Sequence, residues 1–343
     1  MSASENNSAP GLPCGCCSPR RGFLSRLAAM GAAAVLPGGL LAQETKKSAA
    51  RGKPYRIDVH HHLIYPGYLD EIAGSRAGSP VKWSPAMSIE EMDKSGIALS
   101  MMSLVQPSAS AGDLEKRRKI ARQSNDYAAQ LARDHPGRFG NFATLPLPDV
   151  EGSLKEIEHA LDSLKAEGLG LMTRYQDKYL GDTAFAPVWE ELNRRKAVIY
   201  THPLSPDCCR NIKSDVPPSA IEYATDTTRT IASLAFSGTA PFLISRFTRL
   251  EAEMKEKAAQ RMPKGVMYEL KKFYYDTAQG NHAGALAALM KIVTPSQVLF
   301  GTDFPFRDGA EEIGGLTAYR FAPNDLRAIE RENALRLLPR LSA

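Results

Sequence analysis

Three consecutive histidines, His60, His61 and His62, close a short run of β-type residues that holds Tyr55, Ile57 and Val59. Side chains of a strand alternate between its two faces, so His60 and His62 point one way and His61 the other. Two imidazoles on one face supply half of a site for a first-row divalent metal. The other half is found where other β-type runs end. His202 follows Ala197–Thr201, and Asp303 follows Val298–Gly301. Together the four make a ligand set in which a carboxylate beside a cation can also carry a proton. Asp58, deeper on the face of His60 and His62, is expected to support the ligands from behind.

The elements that must position these groups alternate between strand and helix. Strands are predicted at Tyr55–His60, Ile97–Val105, Phe139–Leu145, Gly168–Thr173, Ala197–Thr201, Phe273–Asp276 and Val298–Gly301. Between them the pattern predicts helices near Ser88–Ser95, capped by Ser88, and over Ala111–Asp134, Val150–Ala166 and Val188–Arg195. Further helices are predicted from Thr225, with Asp226 as N-cap, over Phe242–Met262 and over Asn324–Leu338. This alternation implies parallel βα units closing into a barrel, whose chemistry sits at the C-terminal ends of the strands. One strand is missing from the count, because the seventy or so residues after His202 read as helix. Arg174, just past a strand end, is placed either to grip a substrate carboxylate or to sit as a surface arginine in a charged loop, and Trp83 either to wall an aromatic substrate or to join the core. His135, His159 and His282 are expected at the surface.

Composition limits the alternatives. The 343 residues are 43% hydrophobic and 24% charged, which suits a globular chain with a sizeable core. A net charge of +5 is too weak to argue for nucleic acid or an anionic membrane as partner. Residues 1–42 read as an export leader: Ser18-Pro19-Arg20-Arg21-Gly22-Phe23-Leu24 is of twin-arginine type, and a small-residue apolar stretch runs on to Ala42. That stretch is too short and too rich in Gly and Ala for a membrane span. The expected organisation is therefore a leader over 1–42, a polar linker over 43–53 and a barrel domain over 54–343, with the mature protein in the periplasm. Cys14, Cys16 and Cys17 fall inside the leader, and the neighbours Cys208 and Cys209 could bridge only with strain.

The chain resembles the decarboxylase branch of the metal-dependent amidohydrolase superfamily, the relatives of aminocarboxymuconate-semialdehyde and 6-methylsalicylate decarboxylases. The resemblance rests on Ile57-Asp58-Val59-His60-His61-His62, Gly168-Leu169-Gly170-Leu171 with Asp177–Asp182, and Tyr200-Thr201-His202-Pro203. It continues through Asp226–Leu234, Leu299-Phe300-Gly301-Thr302-Asp303-Phe304-Pro305-Phe306 and Glu332-Asn333-Ala334. It implies a distorted (β/α)8 TIM barrel holding one divalent ion, zinc first and manganese second, on His60, His62, His202 and Asp303. It further implies non-oxidative decarboxylation of a small aromatic or unsaturated hydroxy acid, with Asp303 as proton donor, in a homodimer. The alternative is hydrolysis of an amide or lactone by metal-activated water. One departure stands out: Ser237-Gly238-Thr239 runs directly into Ala240-Pro241, where the family carries its sixth strand and a histidine. A second alternative is therefore a metal-binding relative with impaired catalysis.

Overall fold

The computed structural model describes residues 53–72, 81–106, 108, 112–205, 218–235 and 240–342. The leader with its three cysteines, the linker up to residue 52, the Cys208–Cys209 pair and the Ser237–Thr239 junction lie outside them.

Four long parallel strands come first: β1 (Arg56–Leu63), β2 (Ile97–Leu104), β3 (Phe139–Thr144) and β4 (Gly168–Met172). A small antiparallel ribbon, β5 (Arg174–Tyr175) and β6 (Lys178–Tyr179), follows β4 directly. Next are β7 (Ile199–His202), β8 (Tyr275–Asp276) and β9 (Val298–Leu299). The main sheet has the order β1-β2-β3-β4-β7, and β8 pairs parallel with β9. Residues just after β9 lie against β1: Phe300 O accepts from Val59 N (2.9 Å), His60 O from Asp303 N (2.8 Å) and Phe304 O from His62 N (2.8 Å). The strands thus curl in the series β7-β4-β3-β2-β1-β9-β8, a parallel half-barrel clad in helices. Among the described residues no strand lies between His202 and Tyr275, and 218–235 and 240–261 are helical. β7 is also the least covered strand of the sheet, with Thr201 exposed.

Residue chemistry explains the long strands. β2 reads Ile-Ala-Leu-Ser-Met-Met-Ser-Leu and is covered on both faces, as parallel strands under helices are. Ile57, Val59, Leu99, Met101, Phe142 and Leu299 form one apolar layer with Ala334 and Leu338 of the C-terminal segment. A larger layer with Leu63, Met102, Leu104 and Phe300 packs under the outer helices. The β1–β2 register slips between Asp58 and His61, which face Ser100 and Met102. Three steps on one strand against two on the other place a bulge at Val59–His60, a device that re-aims side chains beside active sites.

Several boundaries move. The helix predicted to start at Ser88 spans Pro85–Ser95 and is capped by Ser84, whose side chain accepts from Met87 N. Asp226 caps nothing: it sits inside the helix Pro218–Ala235, fully buried. There it accepts from Tyr179 OH (3.0 Å), Leu204 N (3.2 Å) and Thr173 Oγ1, tying the helix to the ribbon and to the end of β7. The helix predicted to run to Ala166 is α-helical over Val150–Glu158 and continues as a π-turn over His159–Ser163.

Candidate metal centre

His60 and His62 leave β1 on the inner side, His202 ends β7, and Asp303 follows β9. One ligand atom from each of the four lies within 4.8 Å of the others. The ring centroids of His60 and His62 are 5.2 Å apart, those of His60 and His202 5.3 Å, and those of His62 and His202 4.9 Å. All four side chains are buried. The structure thereby brings together the set expected from sequence.

Each ring is oriented by a partner. His202 Nδ1–H donates to Pro203 O (2.9 Å), which leaves its Nε2 as a lone-pair donor. His62 meets Ser103 Oγ through Nδ1 (3.4 Å) and Asp303 Oδ1 through Nε2 (3.1 Å). His60 Nδ1 meets Asp276 Oδ1 (3.2 Å). Its Nε2 is buried 3.3 Å from Asp303 Oδ1, without the alignment of a hydrogen bond. A buried imidazole nitrogen without a hydrogen bond, facing two other imidazoles and a carboxylate, is an arrangement that fits one divalent ion with nitrogen and oxygen donors.

The three rings differ in their electrostatics. Burial pushes His62 down, and it holds His202 well below the ordinary imidazole value with help from the neighbouring rings. Burial opposes charge on His60 too, but Asp276 and Asp303 outweigh it and raise that ring well above the usual range. Burial alone would raise the Asp303 carboxyl, yet the close approach of His60, the hydrogen bond from His62 and the charge on both rings hold it far below the carboxylate range. Asp303 therefore rests as an anion, ready to ligate. Its backbone is held at φ +67°, a left-handed conformation uncommon for a residue with a side chain and frequent at functional sites.

The supporting residues differ from expectation. Asp58 braces the backbone of the ligands rather than their rings. Its Oδ1 accepts from the N–H groups of His60 (3.0 Å) and Thr302 (3.0 Å), and its Oδ2 from Thr302 Oγ1 (2.6 Å). Trp83 does not line the site. Its indole donates to Ser88 Oγ (2.9 Å), which meets His61 Nε2 (2.9 Å), so Trp83 belongs to the packing on the outward face of β1. The alternation that separates His61 from His60 also separates Trp83 from the metal ligands. Arg174 lies just beyond β4, but it is a brace: its guanidinium donates to the carbonyls of Gln176 (2.8 Å) and Ser205 (2.6 Å), with Asp226 at 3.7 Å. The aromatic rings beside the ligands are instead Tyr200, 5.4 Å from His60, Phe306, 5.6 Å from His62 and 38% exposed, and Tyr223, 6.3 Å from His202. Sequence reading missed Ser103, Asp276 and Gln279. Only for Asp276, a carboxylate at the end of a predicted strand, was a signal present. The remaining histidines stand apart: His282 caps the helix Ala283–Leu289, His159 pairs with Asp126 (2.8 Å), and His135 packs on Phe139.

The chain is similar to several known proteins. The amidohydrolase family model matches residues 57–340. A decarboxylase of Penicillium terrestre is 33% identical over 326 residues, covering 83% of this chain and 95% of that one. A 6-methylsalicylic acid decarboxylase of Aspergillus aculeatus is 32% identical over 322 residues, covering 83% of this chain and 96% of its own. Among solved structures, a dihydroxybenzoic acid decarboxylase from Polaromonas superposes with a TM-score of 0.70 at 20% identity. That match covers 83% of this chain and 97% of that one, and the structure holds manganese and an inhibitor, 2-nitroresorcinol. At that identity the likeness speaks for the fold.

Proposed function

The chain belongs to the amidohydrolase family, and on that premise we propose that it is a metal-dependent, non-oxidative decarboxylase of a small aromatic ortho-hydroxy acid. The observation that carries this reading is the convergence of three imidazoles and one carboxylate within 4.8 Å, beside exposed aromatic surface. His60, His62, His202 and Asp303 would hold one divalent cation, zinc first and manganese second, whose charge fixes the carboxylate and hydroxyl of the substrate. Phe306 and Tyr223 are placed to flank an aromatic ring, the role sequence alone gave to Trp83. Asp303 rests as an anion, so the proton it delivers must arrive with the substrate. It accepts that proton from the ortho hydroxyl and passes it to the ring carbon that bears the carboxylate. The bond from that carbon to the carboxylate then breaks, its electron pair restores the ring, and carbon dioxide leaves.

The decarboxylase names of the relatives above favour this reaction over hydrolysis of an amide or lactone. The absence of the sixth-strand histidine from Ser237–Ala240 leaves Asp303 as the proton carrier. The test is metal analysis together with carbon dioxide release on a panel of hydroxybenzoates that includes 6-methylsalicylate. Turnover in D2O should place one deuterium on the ring carbon that lost its carboxylate. Full metal occupancy with no release from any member of the panel would sink the proposal. The leader points further to export by the twin-arginine route and cleavage after Ala42, and the family resemblance to a homodimer. Fractionation with N-terminal sequencing, and sedimentation of the mature chain, test these two points.

A further inference from the structure

Gln279 sits in the turn after β8, where Gly280 N donates to Thr277 O (2.8 Å) and Gln279 itself has φ +56°. That backbone region is unfavourable for a residue with a side chain, so something must hold it there. One side of the residue faces the metal centre, where the Gln279 carboxamide donates to Asp303 Oδ2. The two oxygens of Asp303 are thereby divided: Oδ1 faces His60 (3.3 Å) and His62 (3.1 Å), while Oδ2 is capped by the amide. On the other side the Gln279 N–H donates to Glu312 Oε1 (3.1 Å).

Glu312 belongs to the helix Gly309–Tyr319 and has no exposed surface. Its second oxygen, Oε2, is buried without a hydrogen bond. A buried carboxyl satisfied on one side only is costly, and an apolar residue would pack there more cheaply. What the carboxyl secures is the backbone of Gln279. The same turn also carries Asp276, whose Oδ1 accepts from Ala278 N (2.9 Å) and meets His60 Nδ1, so one short segment reaches two of the four ligands.

We propose that Gln279 is a positioning residue of the metal centre, selecting which oxygen of Asp303 meets the cation, and that Glu312 locks Gln279 in the conformation this requires. The kinetic consequence rests on the decarboxylase reading above; the consequence for metal binding does not.

The test uses the whole chain, stripped of metal and titrated with Mn2+ and with Zn2+ against a competing chelator. Gln279→Gly removes the amide while easing the backbone, because glycine adopts φ +56° freely, and Gln279→Ala removes the amide alone. Both variants should bind either ion about tenfold more weakly, with the circular dichroism of the metal-free chain unchanged. Glu312→Gln keeps an acceptor oxygen for the Gln279 N–H and should bind metal as the natural chain does. Glu312→Leu should weaken binding as the Gln279 variants do. In turnover, kcat should fall in the Gln279 variants while KM stays level. Natural-strength metal binding by Gln279→Gly overturns the proposal, and so does Glu312→Leu binding as tightly as Glu312→Gln. If the natural chain releases no carbon dioxide but the Gln279 variants lose metal affinity, the decarboxylase reading fails and the positioning role stands.

Discussion

Asp303 combines three demands that few residues meet together: an anionic side chain among imidazoles, a left-handed backbone and a hydrogen bond from each side. Asp303→Asn keeps the shape and removes both the charge and the proton carrier. Carbon dioxide release should fall by about a thousandfold, with weaker metal binding, measured by single-turnover assay and metal titration. Glu312 gives a prediction in pH. Burial, chiefly, raises its carboxyl from the ordinary 4.5 to about 8. Between those values the folded chain keeps a proton that the unfolded chain has released. Stability is therefore intact below about pH 4.5 and falls as pH rises through 8. Glu312→Gln should abolish that decline and exceed the natural chain by up to about 5 kcal/mol at pH 9, read by denaturant melts at pH 5 and 9. The four ligands were legible in the sequence because strand alternation and strand-end position are local properties. Ser103, Asp276 and Gln279 were harder to read, since each meets its ligand from another strand or turn and no spacing along the chain encodes that meeting.

The seven expected strands and the helices between them were legible in kind and order; the β5–β6 ribbon and the helices Ala283–Leu289 and Gly309–Tyr319 were not expected, and the ends followed chemistry that a pattern misreads. Ser88 with Glu91 looks like a capping pair, yet Pro85 at the first helical turn and Ser84 before it mark the true start. Ser88 was free for another task, holding His61 and Trp83. Glu91, three residues on, accepts from Ser95 Oγ (2.6 Å) and Gly309 N (2.8 Å). Asp226 shows the same error: a capping residue type was given a local role, while its real partners lie on other elements. The contact between β1 and the segment after β9 supplies an element-scale prediction. A Cβ at Gly301 would come within 2.8 Å of His60 Cβ and 3.1 Å of Asp276 Oδ1. His60 Cβ is fixed to the backbone of β1, and Asp276 Oδ1 is held by Ala278 N and His60 Nδ1, so β1 and the last strand must part. Gly301→Ala should cost about 1–3 kcal/mol by denaturant melt and weaken metal binding at the same time. A loss of stability with metal affinity untouched would show that the two strands part without moving His60.

Across the whole molecule, the cation should act as a staple, because it binds the folded chain and not the unfolded one. Stripping the metal should lower stability by about 2.7 kcal/mol when the free ion stands at a hundred times its dissociation constant. The melting temperature should drop by roughly 5 °C, and readdition should restore it. A calorimetric scan with and without chelator decides this. The barrel-type strand order was legible because successive main strands, β1, β2, β3, β4 and β7, are neighbours in the sheet. The closing contact, His62 to Asp303, spans 241 positions, and that span has a consequence in time. A ribosome adds roughly 5–20 residues per second, so the histidines of β1 leave it about 12–50 s before their carboxylate. During that interval the growing chain carries imidazoles without the anion that completes their site. Ion capture should thus wait until Asp303 has been made. Nascent chains arrested short of Asp303 should retain no Mn2+ or Zn2+ through gel filtration, whereas chains released after full translation should.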